Sequence, residues 1–111
     1  MEREFVREWM KNMQCLLGAA SPDKWRVYAQ VTTVYEVNEE PVTTWGIYIS
    51  RTEALPPDKR RHSEYAVSED VMMQDCSALA TEIIAATKNG TLEQILMLTG
   101  ATMYRERRCA G

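Results

Sequence analysis

The chain has a single histidine, His62, no glycine-rich loop and no closely spaced pair of cysteines. Each shortage excludes a class of chemistry. Cys15, Cys76 and Cys109 are odd in number, far apart and without a CxxC pair, so neither a disulfide framework nor a zinc site is supported. The five glycines are scattered, and none falls in a GxGxxG or GxxxxGK phosphate-binding arrangement. His62 has Ser63 and Glu64 beside it, but neighbours on an extended chain point to opposite faces, so the trio is not a prepositioned triad. These shortages lead to the expectation of a protein that is not an enzyme and uses no metal or cofactor.

Long apolar runs are missing as well. No stretch approaches the roughly 18 to 20 residues of a membrane span, and the start, Met1-Glu2-Arg3-Glu4-Phe5, does not read as a secretory signal. A cytoplasmic protein with no membrane partner is expected. Basic residues are outnumbered, 13 Lys and Arg against 16 Asp and Glu, for a net charge of −3. That balance argues against a domain built mainly to coat a phosphate backbone.

What the chain does have is alternation. In residues 25–37, Trp25, Val27, Ala29, Val31, Tyr35 and Val37 share one face, with Thr33 interrupting, and Arg26, Gln30, Thr32 and Glu36 fall on the other. After Asn38-Glu39-Glu40-Pro41 the pattern resumes, with Trp45, Ile47 and Ile49 on one face and Thr44, Gly46, Tyr48 and Ser50 opposite. Period-two runs joined by a short turn predict an antiparallel hairpin.

The flanks read differently. Phe5, Trp9, Met13 and Leu16, widened by Val6, Met10 and Leu17, make a helical stripe over residues 2–17, with Gly18 as its stop. That stripe is broader than a small sheet needs, and a symmetric homodimer could bury the excess. Pro56-Pro57-Asp58 and the basic run Lys59-Arg60-Arg61-His62 predict a loop over residues 52–63, and Glu64 to Val67 a short third strand. Ser68 is an N-cap candidate for a helix running to about Lys88, stopped by Asn89-Gly90. Thr91-Leu92-Glu93-Gln94 has capping-box form and predicts another helix at once.

The expected fold is therefore a single α+β domain over residues 1–111: an N-terminal helix (2–17), a three-stranded antiparallel meander (25–67) and two C-terminal helices (69–104) packed on one sheet face. Core positions would be Trp25, Val27, Val31, Tyr35, Trp45, Ile47, Ile49, Val67, Leu79 and Ile83. Two resemblances accompany this reading. Leu92-Glu93-Gln94-Ile95 ending at Thr99-Gly100, with Thr102 opening the recognition helix, resembles a helix-turn-helix unit over residues 91–103. It implies a small DNA-binding regulator, with Arg105, Arg107 and Arg108, and the loop residues Lys59, Arg60 and Arg61, as phosphate contacts. Trp45-Gly46-Ile47-Tyr48, Val67-Ser68-Glu69-Asp70 and Asn89-Gly90-Thr91-Leu92 resemble a family of short uncharacterised bacterial proteins in which a β-meander precedes a helical pair; this implies a fold and no activity.

With no reactive constellation, the function expected first is protein binding. Tyr28 and Tyr48 fall on the less apolar sheet face, and tyrosine is favoured at interfaces. Glu36, Glu39 and Glu40 would present negative charge near the hairpin end. Small acidic bacterial or phage proteins without catalytic residues often act as regulators or inhibitors of a larger protein, including counter-defence inhibitors of nucleic-acid enzymes of the anti-CRISPR type, an analogy at the level of class.

Overall fold

The computed structural model describes residues 2–103. In chain order it contains α1 (Arg3–Ala20), β1 (Lys24–Val34), β2 (Val42–Thr52), β3 (Arg61–Val67), α2 (Glu69–Met72), α3 (Cys76–Asn89), a 3-10 turn (Leu92–Gln94) and β4 (Met97–Met103). The class is α+β, and the strands form one antiparallel sheet in the order β1-β2-β3-β4.

The sheet has four strands where three were expected, and the change falls on the segment read as a final helix. α3 ends on Gly90 in the left-handed conformation, φ 70°, as a glycine C-cap should. Thr91 makes no side-chain cap, so the capping box does not form and only one 3-10 turn succeeds it. Leu92 and Leu96 bury there, and the chain then extends along the free edge of β3. That edge supplies unpaired N–H and C=O groups that a further helix would leave unsatisfied. The register shifts between Glu64 and Tyr65, where the Thr99 hydroxyl donates to the Glu64 carbonyl at 3.0 Å. A helix-turn-helix is therefore not formed over residues 91–103, and Arg105, Arg107 and Arg108 lie outside the described residues.

Other boundaries move for local reasons. α1 passes through Gly18 and stops at Ala20. The single helix expected over residues 69–88 is two: Ser68 caps α2 by accepting from the Val71 N–H, and Asp75 caps α3 afresh by accepting from the Ala78 N–H at 2.9 Å. Arg61, His62 and Ser63 belong to β3 and not to the preceding loop.

One apolar cluster joins Val6, Trp9, Met13 and Leu17 of α1, Leu79 and Ile83 of α3, and Trp25, Ile47, Ile49 and Tyr65 of the sheet. Val27 and Val67 are partly buried against it. Three expected core residues are not in it. Val31, Tyr35 and Trp45 are 66%, 77% and 55% exposed. The register gives the reason: β1 and β2 pair from Lys24↔Thr52 to Val34↔Val42, whereas β3 reaches β2 only from Thr52 to Ile47. Beyond Ile47 the hairpin continues as a two-stranded arm, with no third strand beside it among the described residues.

A few contacts reveal the hydrogen-bond phase of β1 and β2. Gln14 on α1 donates to the Trp25 carbonyl and accepts from the Val27 N–H, both at 2.8 Å. It thereby satisfies part of the open edge of β1. Since successive residues of a strand turn their N–H and C=O to opposite edges, the even-numbered residues of β1 bond β2. The Glu53 N–H bonds the Arg61 carbonyl at 2.9 Å, continuing a ladder in which the odd-numbered residues of β2 bond β3.

Gln14 is thus the polar tie between α1 and the sheet edge. Gln14→Ala removes both bonds and strands two partly buried backbone groups, for an expected loss of about 1–3 kcal/mol. A lowered urea midpoint with unchanged slope would record it, and an unchanged midpoint would show that the tie contributes nothing.

Candidate functional site

The sheet face carrying the even-numbered residues of β1 and β2 gathers a polar aromatic cluster. Tyr28 and Tyr48 are directly paired across the strands and stack with ring centroids 5.7 Å apart and planes 22° from parallel. Gly46 makes room for this, because a Cβ there would lie 3.2 Å from the Tyr48 ring. The Arg26 guanidinium sits 5.3 Å from the Tyr28 ring centre, a cation–π distance. Burial, then the charge of the Glu64 carboxylate and its pull on the phenol proton, push the Tyr28 phenol above its ordinary value, while Arg26 opposes them. In the next row, His62 contacts the Thr52 hydroxyl through Nδ1 at 3.0 Å and Glu64 through Nε2 at 3.4 Å.

The two tyrosines singled out in the sequence are therefore brought together. The acidic candidates are elsewhere: Glu36, Glu39 and Glu40 are exposed at the tip of the arm, where Glu39 N–H bonds Glu36 O and Asn38 takes a positive φ of 67°. Lys59 and Arg60 lie at the opposite end of β2, in the β2–β3 loop, where Arg60 donates to the Leu55 carbonyl. Arg61, on β3, lines a cleft of about 350 Å³ with Arg51, Ser63, Tyr65 and the end of α3. No three histidine, cysteine or carboxylate side chains converge as a metal site among the described residues. None of the described helices is long and apolar enough to cross a membrane.

The arm itself is the feature that sequence reasoning missed as a site. Val31, Val34, Tyr35, Val37, Val42 and Trp45 are all exposed on it. Val31 pairs with Trp45, and Val34 with Val42, so apolar side chains lie on both of its faces. An isolated two-stranded ribbon is marginal in water, and these side chains find no cover within the described residues. Where β3 stops, a notch of about 370 Å³ opens beside β2, bounded by residues 43–47, Val67, Glu69 and Met72. The only hint in the sequence is length: a third strand as short as residues 64–67 cannot flank a hairpin running from 25 to 53.

No known protein family, curated protein or solved structure matches the chain.

The raised Tyr28 phenol has a checkable consequence. Because its folded value lies above the ordinary value of 10.0, its neutral form contributes stability that is present below pH 10 and lost as pH rises through the folded value. In an ultraviolet titration, the component abolished by Tyr28→Phe should ionise above the ordinary tyrosine value, and Glu64→Gln should bring it down. Ionisation of that component at the ordinary value, or no response to Glu64→Gln, would contradict the coupling.

Proposed function

We propose that the protein is a non-enzymatic binding module, a small regulator or inhibitor that engages a larger protein through the β1–β2 arm. The observation that carries this reading is the arm: a ribbon outside the core, exposing Val31, Val34, Val42 and Trp45 and tipped by Glu36, Glu39 and Glu40. Burial of apolar side chains in a partner would supply what β3 does not, and tryptophan is among the residue types enriched as interface anchors.

The acidic tip narrows the partner's chemistry. Three carboxylates at the leading end of the arm are repelled by acidic surfaces and drawn to basic ones. A groove lined by arginine and lysine, of the kind that nucleic-acid enzymes present to phosphate, combines that charge with room for a ribbon. The Tyr28–Tyr48 stack at the foot of the arm would form the side of the interface nearest the body of the protein.

A photo-crosslinking residue placed at Val37 or Val42 in cells of the native host should capture one larger protein, while the same residue at exposed Lys11 on α1 should not. Trp45→Ala should weaken that complex by about 30-fold, equivalent to the roughly 2 kcal/mol of an aromatic anchor, with the circular dichroism spectrum unchanged. Equal capture from Lys11, or full binding by Trp45→Ala, would overturn the assignment of the arm.

A further inference from the structure

The notch at the end of β3 has the chemistry of a strand-addition site. The odd-numbered residues of β2 bond β3, and β3 contacts β2 no further than Ile47. By the same phase, the N–H and C=O groups of Thr43 and Trp45 point away from β1 and into the notch, in line with the strand that stops short. The notch is also walled. Trp45 and Ile47 line it from β2, Val67 from the end of β3, and Met72 and Glu69 from α2, where the chain has turned away from the sheet.

We infer that this notch accepts an extended peptide segment of the partner protein as an extra strand beside β2, with alternating apolar side chains and a lysine or arginine facing Glu69. The inference rests on the binding-module reading above and specifies how the partner is held. Main-chain hydrogen bonds to Thr43 and Trp45 supply affinity that is indifferent to sequence. Selectivity comes from the walls. A peptide residue opposite Trp45 places its side chain on the face of Trp45, Ile47 and Met72, where an apolar group is buried. Glu69 forms no ion pair among the described residues, and its carboxylate favours a basic side chain over an acidic one. The opposite face carries Thr44 and Gly46 and leaves room without selecting strongly.

The phase of β2 provides a test that separates backbone pairing from side-chain docking. Proline at an edge position whose N–H is not used by the sheet is tolerated. Thr43→Pro deletes an N–H that points into the notch and spares the ladder to β1; Thr43→Val keeps the N–H and removes only the hydroxyl that contacts Thr33 at 3.1 Å. The probe is a displayed library of random nine-residue peptides selected on the intact chain, with synthesis of the enriched sequences afterwards. Enrichment of alternating apolar residues with a lysine or arginine is expected. Binding of a selected peptide should fall about tenfold or more in Thr43→Pro, the loss of one backbone hydrogen bond with steric exclusion added. It should fall comparably in Glu69→Lys and stay unchanged in Thr43→Val. The Trp45 amide should become protected from hydrogen exchange when the peptide binds.

No enrichment, or equal binding to Thr43→Pro, would overturn strand addition. Concentration-dependent protection of the Trp45 amide without peptide would overturn it in favour of a second copy of the chain. If the arm still captures its partner by crosslinking while Thr43→Pro binds that partner normally, strand addition fails and the binding-module reading survives. If crosslinking at the arm finds no partner, that reading fails by its own measurement.

Discussion

Two strands of eleven residues lie beside one of seven, and this mismatch governs how the rest of the structure is used. Where β3 flanks β2, the odd-numbered side chains of the hairpin enter the core: Trp25, Ile47 and Ile49 are at most 5% exposed. Where β3 is missing, side chains of the same parity and similar character, Val31 and Trp45, stand in solvent. Hydrophobicity is the same on both sides of the boundary. What changes is whether another element is present to remove the side chain from water. The body of the protein is thus a compact helix-and-sheet core, and the arm is a continuation of its two longest strands without that core.

An arm of this kind depends on a firmly held base, and the polar contacts concentrate there. Arg51 bonds Asp23 through Nε at 2.7 Å and Glu53 through Nη1 at 3.3 Å, with its guanidinium 5.9 Å from the Trp25 ring centre. Asp23 also accepts from the Ala54 N–H at 3.0 Å, so one carboxylate joins the entry of β1 to the exit of β2. The Arg51 and Asp23 side chains are only 16% and 13% exposed, which sets this pair apart from ordinary surface ion pairs worth about 0–1 kcal/mol. Removing one partner would leave a charge largely cut off from water. On the other side of β1, Gln14 anchors α1 to the foot of the same ribbon. Together they hold the root of the hairpin, while its far half stands outside the core.

The body of this fold was legible because it rests on short-range rules. The stripe of Trp9, Met13 and Leu17, the alternation through Trp25, Ile47 and Ile49, the Ser68 cap and the Gly90 stop all act within a few residues, and all take the form their chemistry dictates. What was not legible depends on distant partners. Leu92, Ile95 and Leu96 satisfy a helical spacing equally well in a 3-10 turn that hands the chain to a strand, and only the open edge of β3, about thirty residues earlier, decides between them. Val31, Tyr35 and Trp45 carry a core pattern, but whether they are covered depends on where β3 ends. Tyr28 and Tyr48 could be assigned to one face from parity alone, yet their stacking required the register, which also set the Gly46 gap. The site residues therefore divide in the same way: the face was readable, while the arm and its notch came from pairing lengths that composition does not encode.

An exposed ribbon with unpaired edges invites indiscriminate pairing, and its sequence limits that risk. Threonines at 32, 33, 43 and 44 interleave with the apolar residues, and the Thr33 and Thr43 hydroxyls meet at 3.1 Å across the strands. They keep β propensity high while denying the arm a continuous apolar face. Glu36, Glu39 and Glu40 place like charge at the tip, so two tips meeting head-on repel each other. Lys59 and Arg60 lie at the other end of β2, which gives the sheet opposite charge at its two ends. Apolar side chains make the arm adhesive, and the charges restrict the approaches by which adhesion can occur. Under the binding-module proposal, a partner entering from the tip would meet the carboxylates before reaching Trp45, so electrostatic selection would precede burial. On that proposal the order would favour a specific complex over indiscriminate adhesion.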